Sequence, residues 1–157
     1  TALGTSSSAA TIPVSMESTL KNGISKPVAS FVIPLCATIH LSGSMIKLTL
    51  YAFAIVYMAN LDISTSTGLG FIFLLGIMMI AAPGVPGGAV MVAAGLLADM
   101  MGFDDGMVAL MIAAYIAIDS VGTAANVTGD GAIAMIVDKF AGSKKDHTEE
   151  ESAEATA

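Results

Sequence analysis

The chain contains no arginine, a single cysteine, two histidines and few charges of any kind. Charged residues make up 12% of the sequence, against roughly a quarter in an ordinary soluble domain. Each scarcity excludes something. Six lysines against thirteen acids give a net charge of −7, so a nucleic-acid partner, which calls for a basic patch, is not expected. Cys36 alone can form neither an intramolecular disulfide nor a thiolate metal cluster. No basic stretch followed by an apolar run opens the chain, so no signal peptide is read there. The start at Thr1, without Met and within a Ser-rich stretch, reads as a fragment of a longer protein. What remains is apolar: 55% hydrophobic residues, 16 glycines and a mean hydropathy of +0.81. Nine of the nineteen charged residues fall in 138–157. A membrane-like body therefore precedes a polar, acidic tail.

Residues 1–13 are small and hydroxylated, a composition that disfavours a helix interior because the hydroxyls compete for local backbone groups. Pro13 suits a first helical position, so a short helix is predicted over 14–20, ended by Asn22-Gly23. From Val28 to Asn60 the chain is apolar but interrupted at His40-Leu41-Ser42-Gly43-Ser44. Neither half crosses a bilayer core of about 30 Å alone, and together they do. One transmembrane helix is predicted over 27–60, broken where protein or a wet cavity must shield the backbone. Leu69–Ala82 and Ala89–Met101 are short apolar arms around Pro83-Gly84-Val85-Pro86-Gly87-Gly88. They read as a re-entrant helical hairpin over 68–102, with a soluble pair of core helices as the alternative. The segment 106–140 reads as the last transmembrane helix, and 141–157 as a disordered acidic tail. The fold class is all-α integral membrane. If residues 21–26 are cytoplasmic, Lys21, Lys26, Lys139, Lys144 and Lys145 all fall inside, which satisfies the positive-inside rule and makes the tail cytoplasmic. The sixth lysine, Lys47, lies within the membrane.

On a 3.6-residue helix, Asp119, Thr123, Asn126 and Asp130 fall within roughly 40° of one another. An ionised carboxylate in a bilayer is costly unless paired, so such a stripe marks an ion or substrate path; a wall of a wide aqueous cavity is the alternative. Protease chemistry does not fit. Asp119 and Asp130 lie roughly 16 Å apart on one helix, and an aspartyl dyad needs its carboxylates almost in contact. No Gly-x-Ser-x-Gly elbow accompanies Ser6-Ser7-Ser8, and the histidines are only His40 and His147.

Residues 1–140 resemble the C-terminal transport core of the dicarboxylate/amino acid:cation symporter family, the glutamate transporter homologues. Ser6-Ser7-Ser8 with Thr11-Ile12-Pro13 resembles the serine-rich tip of that family's first re-entrant hairpin, so 1–26 reads as the remnant of that hairpin, its tip and second arm. Ala37 to Ser44 falls where the family has its Asn-Met-Asp-Gly-Thr break. Gly84-Val85-Pro86-Gly87 looks like the second hairpin's tip, and Asn126-Val127-Thr128-Gly129-Asp130 is similar to the last helix. The resemblance implies a substrate site at Ser7, Ser8, Ser44, Val85, Gly87, Asp119, Thr123 and Asn126. Asp119 takes the α-ammonium group in this scheme and Asn126 the α-carboxylate. It implies one cation site at Asp130 and Asn126 with backbone carbonyls near Cys36 and His40, and another at carbonyls around Thr38 and the second hairpin. Sodium, or a proton, is the implied coupling ion, and no other cofactor is implied. Family members are homotrimers through helices that precede this segment.

The departures from the family carry information. Acidic-substrate members hold the side-chain carboxylate with an arginine of the last helix, and Gly122 stands there instead. Without that bidentate partner, a neutral amino acid is favoured. Ser42 replaces an aspartate that holds sodium, His40 an asparagine and Leu41 a methionine. Lys47 or His40 therefore supplies a fixed charge or carries a proton, or else sodium coupling is reduced. The bland alternative is that Lys47 only snorkels and His40 only bonds the unwound backbone. The expected function is cation-coupled symport of an amino acid by alternating access, with no bond made or broken and hence no enzyme activity. It belongs in the plasma membrane as a multi-pass protein among lipid. A dicarboxylate symporter is the second reading, and an ion-conducting pore or an inert truncated product are readings from other classes.

Overall fold

The computed structural model describes residues 1–141 in full and 142–154 only as the continuation of a helix, so the tail expected over 141–157 lies, beyond Ala141, outside the residues described in full. Among the described residues there are helices and no strands. They are α1 (Ala2–Thr5), α2 (Ser8–Lys21), α3 (Lys26–Ile39), α4 (Ser42–Met58), α5 (Thr65–Met79), α6 (Gly88–Met101), α7 (Asp105–Ala117) and α8 (Asp119–Glu154).

Local chemistry explains most of the boundaries. The Ser7 hydroxyl accepts from the amide of Ala10 and caps α2, which therefore begins at Ser8 and runs through Pro13. The sequence predicted that helix only from residue 14; the missing piece is this cap, which turns the hydroxyl run from a helix breaker into a helix start. The start of α3 is capped from a distance. The carboxylate of Asp138 in α8 accepts from the amide of Ser25 at 3.1 Å and from its hydroxyl at 2.5 Å. Side-chain caps also start α5, where Ser64 accepts from Thr67, and α7, where Asp104 accepts from Met107. Gly87 and Gly102 bracket α6 with left-handed backbone, φ 72° and 67°, which glycine adopts without strain.

By length and apolarity the stretch Lys26–Met58 can cross a membrane, its two helices being interrupted at His40 and Leu41. At 15 and 14 residues, α5 and α6 are about 22 and 21 Å long, short of a bilayer core. They pack against each other across the Pro83–Gly87 loop. The segment 106–140 is not one continuous helix as the sequence suggested. It bends by 63° at Ile118, so that α8 starts afresh at Asp119.

Two apolar clusters flank α8. The larger joins α4, α5, α6 and α7 around Leu48, Phe71, Leu75, Leu97 and Met111. The smaller joins α2, α3 and α8 around Ala29, Ile33, Cys36 and Ala134. Between them α8 meets the first turn of α4 at very short range: a Cβ on Gly43 would lie 2.5 Å from the carbonyl oxygen of Gly122 and 2.7 Å from the Cβ of Ala125. Small residues of this kind let backbones approach where lipid leaves packing, rather than water, to drive helix association.

Candidate functional site

The four polar residues of the α8 stripe are all inside, at 5% exposure for Asp119, 4% for Thr123 and 1% each for Asn126 and Asp130. Groups this deep need partners, and neighbouring elements supply them. Among the described residues, no buried side-chain nitrogen or oxygen lacks a hydrogen-bond partner.

Asn126 answers the break between α3 and α4. Its Oδ1 accepts from the amides of Gly43 at 2.8 Å and Ser44 at 3.3 Å, which open α4 and have no partner within their helix. Its Nδ2 donates to the Ser44 hydroxyl at 3.1 Å. Asp119 is held from both sides. The Lys47 ammonium lies 2.9 Å from Oδ1, and the amide of Gly87, at the loop before α6, donates to Oδ2 at 2.9 Å. Lys47 also donates to the carbonyls of Tyr115 and Ile118 and sits 3.6 Å from the centre of the Tyr115 ring. Breaking such a buried pair from one side typically costs about 3–5 kcal/mol, because it strands a charge.

The Pro83–Gly87 loop reaches across to the start of α2. The Gly84 carbonyl accepts from the Ser7 hydroxyl at 2.9 Å and the Ala9 amide at 3.1 Å. Gly84 itself has no room for a Cβ, which would strike the carbonyl oxygen of Ala37 at the end of α3. Behind this closure lies a cavity of about 10 Å³, walled by Ser8, Ser44, Val85, Asp119, Thr123 and Asn126. That is room for about one water and nothing larger.

The residues singled out for a cation fall into two groups. His40 Nδ1 is 2.8 Å from Asp130 Oδ1, and the ring rests against Gly129, where a Cβ would collide with it. Cys36 is buried nearby in the smaller cluster, but its carbonyl already accepts from the His40 amide. The Thr38 side chain is exposed and its hydroxyl donates to the Leu35 carbonyl in its own helix, which leaves only backbone carbonyls at that end of α3 to meet a cation. Ser42, at the position where an aspartate was expected, is exposed as well.

Of the residues read from the sequence for a substrate, the cavity gathers Ser8, Ser44, Val85, Asp119, Thr123 and Asn126, with Gly87 reaching Asp119 through its amide. Ser7 instead latches the loop. Gly122 faces Lys47, whose ammonium lies 3.2 Å from where a Cβ would stand. Two contributors were missed. Tyr115 lines the cavity and carries the Lys47 ammonium on its ring; its signal was a lone tyrosine four residues before Asp119, hence on the same helical face had α7 and α8 been continuous. Gly43, whose amide Asn126 holds, gave no signal apart from its place in the polar break.

Comparison with known proteins gives the same segment a context. The model of the sodium:dicarboxylate symporter family matches residues 1–140. The chain is 32% identical over 139 residues to excitatory amino acid transporter 1 of Rattus norvegicus, covering 88% of this chain and 25% of that protein. It is 31% identical over 137 residues to neutral amino acid transporter B(0) of Mus musculus, covering 83% and 24% respectively. Against neutral amino acid transporter B(0) of Homo sapiens it is 29% identical over 161 residues, covering 98% and 28%. The chain thus spans about a quarter of the length of the curated relatives it matches.

Proposed function

The chain belongs to the sodium:dicarboxylate symporter family, and from that footing we propose that it forms the binding core of a secondary transporter coupling amino acid uptake to inward sodium flow. Membership in a symporter family, with amino acid transporters among the relatives, supports reading it as part of a membrane transporter and not as an enzyme. The observation that carries the finer reading is the closed polar cavity in which Asp119, Thr123 and Asn126 of α8 face Ser8, Ser44 and Val85. Asp119 takes the substrate's α-ammonium and Asn126 its α-carboxylate beside the first amides of α4, where a helix start favours negative charge. The Pro83–Gly88 loop is the gate, and substrate reaches the site from alternate sides as it opens and closes.

A neutral amino acid is the favoured substrate. Gly122 offers no side chain, and Lys47, the cation nearest to it, is committed to Asp119. A dicarboxylate is the second reading, favoured by the position of the Lys47 ammonium beside Gly122. Asp130 and Asn126 hold sodium together with carbonyls of the α3–α4 break. The His40 ring on Asp130 makes a proton the second candidate for the coupling ion.

In the membrane, 1–26 forms part of a first re-entrant hairpin, 27–60 the broken transmembrane helix, 68–102 the second re-entrant hairpin and 106–140 the final crossing. The contact of Ser25 with Asp138 supports this topology, since it joins the segment of Lys21 and Lys26 to that of Lys139 at one end, as a cytoplasmic face demands. The full-length protein works as a multi-pass homotrimer of the plasma membrane with the C-terminal tail inside.

Calorimetric titration of the purified full-length protein tests the substrate assignment. L-serine should bind in sodium but not in choline, and L-aspartate should not bind in either. Aspartate binding tighter than serine would replace the neutral reading with the dicarboxylate one.

A further inference from the structure

Asp119 receives the substrate's amino group in the proposed function, and the role inferred here for Lys47 rests on that assignment. Lys47 already stands at that carboxylate. Its ammonium is 2.9 Å from Asp119 Oδ1, 3.3 Å from the Tyr115 carbonyl oxygen and 3.4 Å from that of Ile118, with the Tyr115 ring at 3.6 Å. An ammonium has three donors, and here each meets one oxygen. The two carbonyls belong to the C-terminal end of α7, where carbonyl oxygens and the helix dipole gather negative charge; that of Ile118 also accepts from the amide of Val121. The junction of α7 and α8 is therefore a built cage for a primary ammonium group.

The lysine also has somewhere to go. A groove of about 340 Å³, walled by Ile46, Leu50, Val121 and Gly122, opens beside its stem. Gly122 leaves that path clear, since a Cβ there would sit 3.3 Å from Lys47 Cε. A lysine stem lies comfortably along apolar walls of this kind while its charged end seeks a polar exit.

We propose that Lys47 is a tethered competitor for the substrate's amino group at this cage. Docked, it neutralises Asp119 while the Gly87 amide closes on the other carboxylate oxygen. Displaced into the groove, it yields the cage to the substrate. Two ammonium groups repel strongly in a pocket with little water and no spare volume, so the exchange is one for one. During the transport cycle, a buried and unpaired carboxylate would oppose closure of the gate. Lys47 removes that obstacle whenever no substrate holds the cage, so the carrier returns closed without a counter-transported cation.

The test uses the full-length protein in proteoliposomes with labelled L-serine. Wild-type net uptake should proceed as well into vesicles loaded with choline as into vesicles loaded with potassium. In Lys47→Met and Lys47→Gln, the apparent affinity for serine should rise by about tenfold, the change expected if Lys47 is docked about 90% of the time. In both variants net uptake should collapse to a small fraction of wild type while serine–serine exchange continues. Weaker or unchanged serine affinity in a folded variant overturns the competition, weaker binding marking Lys47 as a substrate ligand. Wild-type uptake that requires an internal alkali cation overturns the counter-ion role without any variant. Failure of the wild type to carry any amino acid would instead remove the functional reading itself, and the proposal with it.

Discussion

At position 122 a glycine faces the Lys47 ammonium, and the proposed substrate preference turns on these two residues. The positive group comes from α4 rather than α8, and it is turned onto Asp119. Restoring an arginine at 122 therefore has to contend with the lysine, since even its Cβ would lie 3.2 Å from Nζ. Gly122→Arg alone should abolish serine uptake, because two cations crowd one carboxylate. Lys47→Met with Gly122→Arg should exchange labelled L-aspartate across the vesicle membrane, through the bidentate fork a carboxylate prefers. An inert double variant that still folds would mean that another residue sets specificity. Much of this residue-scale picture was legible in the sequence. A helical period of 3.6 was enough to put Asp119, Thr123, Asn126 and Asp130 on one face, and all four are buried together. The pairings were not legible: Lys47 with Asp119 and His40 with Asp130 join residues 72 and 90 positions apart. Only the packing of α8 against the α3–α4 break brings them together.

The elements themselves were read well where chemistry is local and poorly where it is not. The interruption after α3 and the loop between α5 and α6 announce themselves by His40, Gly43 and the Pro83–Gly88 run. The 63° bend at Ile118 does not, because no proline or glycine marks it. The Tyr115 carbonyl there accepts from Lys47, a partner that no local pattern can supply, while that of Ile118 accepts from both Lys47 and the amide of Val121. The start of α2 was missed for a related reason, since its cap Ser7 is itself held by Gly84 of the distant loop. Two glycines test how these elements meet. Gly43→Ala forces α4 off the backbone of α8 and should destabilise the protein by about 1–3 kcal/mol, seen as a lower melting temperature in detergent. Gly84→Ala pushes the loop off the end of α3, so serine affinity should fall with little change in melting temperature. The reverse pattern, with Gly43→Ala silent in stability and Gly84→Ala silent in binding, would contradict the contacts described at both places.

At the scale of the whole molecule, the described residues form two apolar clusters with a polar seam between them, carried by α8 and closed by elements that end or break against it. Nothing in the apolar clusters distinguishes a transporter from any other helical membrane protein. The proposed function rests on the seam, which concentrates carboxylates, an amide and helix starts, the groups a zwitterionic ligand and a cation would use. The direct measurement is net uptake into proteoliposomes bearing the full-length protein, with labelled serine and labelled aspartate supplied separately, with and without an inward sodium gradient. Serine accumulation that follows the sodium gradient, without aspartate accumulation, is the predicted result. Aspartate accumulation, or serine movement indifferent to sodium, would contradict the account of the α8 seam as a neutral amino acid site coupled to sodium.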